Sequence, residues 1–367
     1  MGRDRPLEGC CINRHKKVLA LLLAALCGVS LVSCTSISIT YEEIPAPALE
    51  GSLLGEETKQ FIALLLPKEY GQSTEAYPVL YFLPGFSADY RQVAKLLAHA
   101  LGSQPQGSPS MIVVIINGTS KLGGGFYADS PVSGNWADYV LTDVVDYVDS
   151  HYRTLPKPEA RGLAGHSMGG FGAIHLALNA PGRFRHVYSM SPGLFDNCGV
   201  ENAKINFSLL RNSFSRYAGR SAEKALPAYL KEVQGLQWPD NFSFAYASAF
   251  AYDWDAGFPY FMLPEQDGDG AVVRDERYAR YANGFGGWET KLEAKGDALR
   301  QLQSFAIEYG LQDELTWIPE GAAALCRLLV AQGIAHTELP FQGGHTNRLQ
   351  ERMRDWLLPF FAAGFEL

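Results

Sequence analysis

The stretch "RGLAGHSMGGFGAIHLALNA", Arg161 to Ala180, begins as a short apolar run and ends in a helical pattern, with Ser167 between them. Gly165, Gly169, Gly170 and Gly172 crowd around that serine. Glycine in a helix costs about 1 kcal/mol per residue relative to alanine. Four of them at a helix start therefore imply a backbone that must turn sharply or approach a neighbour closely. Gly165-His166-Ser167-Met168-Gly169 reads G-x-S-x-G, and its place between a strand and a helix predicts a nucleophile elbow. The competing meaning is a glycine turn that holds phosphate at a helix N-terminus. Neither a G-x-G-x-x-G nor a Walker lysine is there to support it.

A serine hydroxyl is a weak nucleophile at neutral pH and needs a general base, itself oriented by an acid. Of the eight histidines, His345 is the best base, because "FQGGHTN" is a glycine loop just beyond the last predicted strand. His15 lies in the N-terminal leader, and His99, His151 and His175 fall within or at the ends of predicted helices. His186 and His336 start strands, and His166 should point away from its neighbour Ser167. The acid should follow the penultimate strand, where "FAIEYGLQDELTWIP" offers Glu308, Asp313 and Glu314. Glu308 falls inside the strand, and Asp313 is preferred to Glu314 as the loop carboxylate. The order Ser167, Asp313, His345 is that of α/β-hydrolases. Two N–H groups should hold the developing oxyanion: that of Met168 in the elbow, and that of Phe86 after "LYFLPGF".

Around these residues, apolar runs alternate with amphipathic segments. "QFIALLLP", "PVLYFLPG", "SMIVVIING", "RGLAG", "RHVYSMSP", "SFAIEYG" and "AHTELPF" read as strands. The segments between them carry helical spacing, which predicts a mainly parallel central sheet with helices on both faces. Sites in such sheets lie at the carboxyl ends of the strands. A chain of 367 residues with 47% hydrophobic and 19% charged residues has ample core material, which excludes a disordered chain. A net charge of -8 argues against nucleic acid as a partner.

The N-terminus reads as a targeting segment. Arg3, Arg5, Arg14, Lys16 and Lys17 precede a charge-free run from Val18 to Ser33, shorter than the ~20 residues of a spanning helix. "LVSC", Leu31 to Cys34, resembles a bacterial lipobox. The expected organisation is a lipoprotein signal peptide over 1–33, lipid attachment at Cys34, a tether over 34–55 and one domain over 56–367. Such a chain sits outside the cytoplasm, held to a membrane by its lipid. Past Cys34 only Cys198 and Cys326 remain, expected as buried free thiols rather than a bridge.

"DYVDSHYRT…EARGLAGHSMGGFGAIHLALNAPGRFRHVYSMSPGLF" resembles the putative-esterase (esterase D-like) family, over most of residues 58–200 and again over 304–363. That family includes S-formylglutathione hydrolases, feruloyl and acetyl-xylan esterases, and mycolyltransferases. The pieces "LPGF", "GLQD" and "GGHT" fall where it has its oxyanion turn, acid and base. The resemblance implies an α/β-hydrolase fold and a serine esterase acting on small-molecule or carbohydrate esters, with no cofactor and no metal. Acyl transfer to a sugar or lipid alcohol would use the same residues, and a binding lipoprotein on an inactive scaffold is a further alternative.

The sequence departs from that pattern between the strands near 190 and 305. The insertion over 200–300 includes "FSFAYASAFAYDWDAGFPYFMLP", whose aromatics suit either a cap over Ser167 or packing onto the core. Within it, Glu265, Asp267, Asp269, Gly270 and Glu276 fall at EF-hand loop positions. Glu in place of Asp at the first position and Pro264 before it favour a plain acidic turn.

Overall fold

The computed structural model describes residues 37–365. Its centre is an eight-stranded sheet. We number its strands β1 (Ile39–Pro45), β2 (Lys59–Leu65), β3 (Val79–Leu83), β4 (Ile112–Ile116), β5 (Arg161–His166), β6 (His186–Met190), β7 (Ser304–Gly310) and β8 (Thr337–Phe341). Their order across the sheet is β1-β2-β4-β3-β5-β6-β7-β8. From β4 to β8 all pairs are parallel, while β2 runs antiparallel to both its neighbours, β1 and β4. This is the mainly parallel sheet of the α/β-hydrolase fold.

Strands β3 to β6 are buried along their whole length, as the continuous apolar runs require of strands covered on both faces. Period-two alternation persists inside those runs. Val79, Tyr81 and Leu83 enter one core layer, with Phe171 and Ile174 of the helix after β5. Leu80 and Phe82 enter the other, with Ala94 and Leu97 of helix α1 (Tyr90–Gly102) and with Leu357, Leu358 and Phe361 near the C-terminus.

The N-terminal part of the domain corrects the expected tether. Residues 39–45 form β1 on the edge of the sheet, in register Ile44 against Gln60. Ile44, Ala46, Leu49 and Leu54 are buried in the core, so the domain takes in most of 37–55. Cys34 and the expected signal segment lie outside the described residues. Among the described residues no helix is long and apolar enough to cross a membrane.

Between β6 and β7 the chain carries the helices α4 (Phe207–Tyr217), α5 (Ala222–Gln234), α6 (Asp240–Phe250), α7 (Glu276–Phe285) and α8 (Trp288–Arg300), after α2 (Val145–His151) and α3 (Met168–Asn179) earlier in the chain. Both alternatives posed for the insertion's aromatics occur together. Phe244, Tyr246, Phe258 and Phe261 are buried in packing, whereas Phe242 and the preceding Trp238 reach the cavity over Ser167. Asp267 Oδ1 accepts the N–H groups of Asp269 (3.0 Å) and Ala271 (2.9 Å), which closes the EF-like segment as an acidic turn. Cys326 is buried and Cys198 is exposed, both as free thiols; the expectation of burial fails at Cys198, which lies on a surface turn.

Candidate active site

The chain runs from β3 back to β4 and then across to β5 on the far side of β3, so the order reverses between β3 and β5. A crevice opens at such a reversal, outside the carboxyl ends of the strands. Leu83 pairs with Gly165. Two residues beyond each, Gly85 and Ser167 come side by side. A Cβ on Gly85 would lie 3.3 Å from that of Ser167.

Ser167 has φ 59° and ψ -116°, a left-handed turn conformation that is strained for a serine. Its N–H extends the sheet ladder to Met190 O (2.9 Å), and its carbonyl accepts from Phe171 N at the start of α3 and from Gly193 N. Backbone contacts on both sides thus hold the turn. The flanking glycines are required by contact: a Cβ on Gly169 would sit 1.8 Å from Leu83 O, and one on Gly165 would sit 2.3 Å from Gly169 O.

His345 and Asp313 come together as expected. His345 Nδ1 donates to Asp313 Oδ2 at 2.7 Å, which leaves Nε2 as the basic nitrogen. Asp313 is 4% exposed and accepts Leu315 N with its other oxygen at 2.9 Å. Glu314, the alternative acid, plays a different part. It accepts the His345 backbone N–H at 3.1 Å, and its own N–H and that of His345 hold its carboxyl below the usual range.

Ser167 and His345 open on one cavity of about 350 Å³. Phe86, Met168, Trp238, Phe242, Phe285, Leu315 and Trp317 supply its apolar walls, and Glu314 its carboxylate. Among the described residues Ser167 Oγ forms no hydrogen bond with the His345 ring, and such contacts often tighten only with substrate in place. The N–H of Met168 opens helix α3, where no intrahelical carbonyl is available to it. That of Phe86 forms no backbone hydrogen bond among the described residues. Both are free to receive an oxyanion beside Ser167.

Sequence reasoning missed a buried network behind His345. His166 does not simply point away: its ring lies 4.6 Å from that of His345, centre to centre, and its Nε2 donates to His345 O at 3.1 Å. Burial, with His345 and Arg352 nearby, holds its pKa well below the usual value. Arg352 Nη1 donates to the same carbonyl at 3.2 Å, and its Nε pairs with Glu308. Glu308 lies inside a strand, as its sequence context implies, and that position is what buries it next to Arg352. No spacing rule links position 352 to 308. An arginine and a glutamate within apolar segments were the only signal.

The family described as Putative esterase matches residues 53–247, just over half of the chain. The chain belongs to that family. Among curated proteins it is similar to an esterase of Mycobacterium tuberculosis, 32% identical over 137 residues, covering 35% of this chain and 28% of that protein. It is also similar to an S-formylglutathione hydrolase of Paracoccus denitrificans, 30% identical over 135 residues, covering 31% of this chain and 46% of that one. The chain thus spans less than half the length of these relatives. Among solved structures, a ferulic acid esterase superposes with a TM-score of 0.55 at 17% identity, covering 89% of this chain and 98% of that one. A fluorophosphonate-binding serine hydrolase of Staphylococcus aureus gives 0.54 at 15% identity, covering 91% and 100%. These two share the α/β-hydrolase fold with the present esterase-family chain.

Proposed function

We propose that this member of the Putative esterase family is a serine carboxylic-ester hydrolase, with Ser167 as nucleophile, His345 as general base and Asp313 as the orienting acid. The observation that carries the reading is the 2.7 Å bond from His345 Nδ1 to buried Asp313, at the wall of the cavity that Ser167 enters on a strained turn. Asp313 fixes the imidazole tautomer, so Nε2 can take the Ser167 proton as Oγ attacks the ester carbonyl. The carbonyl oxygen becomes an oxyanion between the N–H groups of Met168 and Phe86, each such donor being worth about 3 kcal/mol in related sites. His345 then gives its proton to the departing alcohol, leaving an acyl-enzyme. Water, deprotonated by His345, attacks that ester, and collapse returns the proton to Ser167 and releases the acid.

The cavity supports a neutral acyl group of modest size. Five aromatic side chains offer apolar contact, and Glu314 makes the rim unfavourable to anions. Fluorophosphonate labelling and hydrolysis of p-nitrophenyl butyrate test the assignment. The intact protein should label and turn over, and Ser167→Ala should lose both with its circular dichroism unchanged. Hydrolysis that survives Ser167→Ala would end this reading.

We also propose lipid attachment at Cys34, supported by the "LVSC" motif after its basic and apolar leader. Metabolic labelling with a palmitate analogue should mark the natural sequence and not Cys34→Ala; equal labelling would refute the anchor.

A further inference from the structure

Catalysis by His345 requires that its ring be held while the loop carrying it stays outside regular structure. The loop 342–348 follows β8, and its carbonyl at His345 is gripped from two directions. His166 Nε2 donates to it at 3.1 Å and Arg352 Nη1 at 3.2 Å. A carbonyl only accepts, so His166 carries its proton on Nε2. The two donors come from different elements. His166 ends β5, one residue before the nucleophile, and Arg352 lies in the turn of helix Leu349–Arg352 after the loop.

Arg352 is itself fixed on every side. It is 1% exposed, with Nη2 donating to Ser191 Oγ (3.0 Å), Nη1 also to Asn347 O (3.2 Å), and its guanidinium 4.4 Å from the centre of the Phe341 ring. Its Nε pairs with Glu308, whose other oxygen accepts Tyr188 OH at 2.7 Å. Ser191 closes the circuit to the nucleophile. Its N–H bonds Glu308 O at 2.6 Å, and Gly193, two residues on, bonds Ser167 O at 3.0 Å. A buried guanidinium with four hydrogen bonds in a fixed fork is a rigid anchor in a way that a surface arginine is not.

We propose that His166 and Arg352, with Glu308 behind Arg352, are positioning residues that set the distance between the His345 base and Ser167 by clamping the His345 carbonyl. This rests on the esterase reading above. A misplacement of about 1 Å can cost roughly a hundredfold in rate, so loss of one of two donors should lower kcat by about tenfold or more. KM should stay within twofold, because neither residue lines the substrate cavity.

Removing Arg352 alone strands Glu308 in the core and can unfold the chain. The decisive variant is therefore Glu308→Gln with Arg352→Met, which removes both charges while still leaving the carbonyl without that donor. Kinetics should be measured on the full chain with p-nitrophenyl butyrate, normalised to fluorophosphonate-titratable Ser167, alongside the denaturation midpoint. The double variant should be closer to the natural protein in midpoint than Arg352→Met and should keep the loss in kcat. His166→Leu strands no charge and tests the same carbonyl from the other side; it should show the same split of low kcat and unchanged KM. Natural kcat in His166→Leu, or in a folded double variant, would overturn the proposal. So would a fall in kcat that merely tracks the midpoint. Absence of Ser167-dependent turnover in the unaltered protein would instead refute the esterase reading itself.

Discussion

At Gly169 a single methyl group decides whether the elbow exists. Alanine there would place its Cβ 1.8 Å from Leu83 O, a backbone atom in the centre of the sheet, so either β3 or α3 must move. Overpacking of this kind costs roughly 1–3 kcal/mol or more. Gly169→Ala should therefore lower the denaturation midpoint and abolish fluorophosphonate labelling of the folded fraction. Glu314 is the opposite kind of residue: exposed, ionised, bonded to the His345 N–H and facing what enters the cavity. Glu314→Gln should raise kcat/KM for a hemisuccinate ester relative to the matching methyl ester by about two- to fivefold, with the gain shrinking in high salt. The ratio cancels any general effect on His345, whose N–H a glutamine oxygen can still accept. The elbow, base and acid were legible because each sits just after an apolar run, where the chain must turn. The role of His166 was not, because neighbours along a strand point to opposite faces and that rule hid a ring reaching His345 beside Ser167.

Among the elements, β1 shows where pattern reading stops. Its sequence "ITYEEIP" has alternation too weak to separate from a linker, and its strand character comes from pairing with β2 rather than from its own propensity. The buried strands needed no such help, since a run as short and as β-branched as Ile112–Ile116 suits a strand covered on both faces. Helix α6 of the insertion was hidden for a related reason. Phe242 to Ala249 are all buried, and its Phe242, Tyr246 and Phe250 pack around Phe285 of α7, so no single amphipathic stripe marks it. If β1 belongs to the core, Ile44 is a structural anchor. Ile44→Ala removes a fully buried side chain and should cost about 3 kcal/mol, seen as a lower urea midpoint at an unchanged slope. A tether would show no shift.

For the molecule as a whole, the balance of buried titratable groups sets how stability responds to pH. Glu56 is buried where both carboxyl oxygens accept the Lys121 N–H, at 2.9 and 3.3 Å. Burial outweighs that bond and pushes its pKa from 4.5 up to about 7. Between those values the native state keeps a proton that the unfolded chain has lost. Its contribution to stability is therefore complete below 4.5 and is lost as pH rises through 7, about 3 kcal/mol in all at 1.36 kcal/mol per unit. Buried histidines act in the other direction. His166 sits well below its ordinary value, and burial brings His175 down to about 3. The unfolded chain gains their protons below about 6.5 while the fold does not, so they remove stability as pH falls. The two trends oppose each other in the whole protein, and a single variant separates them. Glu56→Gln cannot titrate, so the stability of the variant minus that of the natural protein should rise by roughly 3 kcal/mol between pH 4.5 and 8.5, measured by urea denaturation at each pH. The histidines contribute equally to both proteins and drop out of that difference. A flat difference would mean that Glu56 is ionised in the fold throughout, with its two contacts to Lys121 N–H outweighing the burial of its carboxyl.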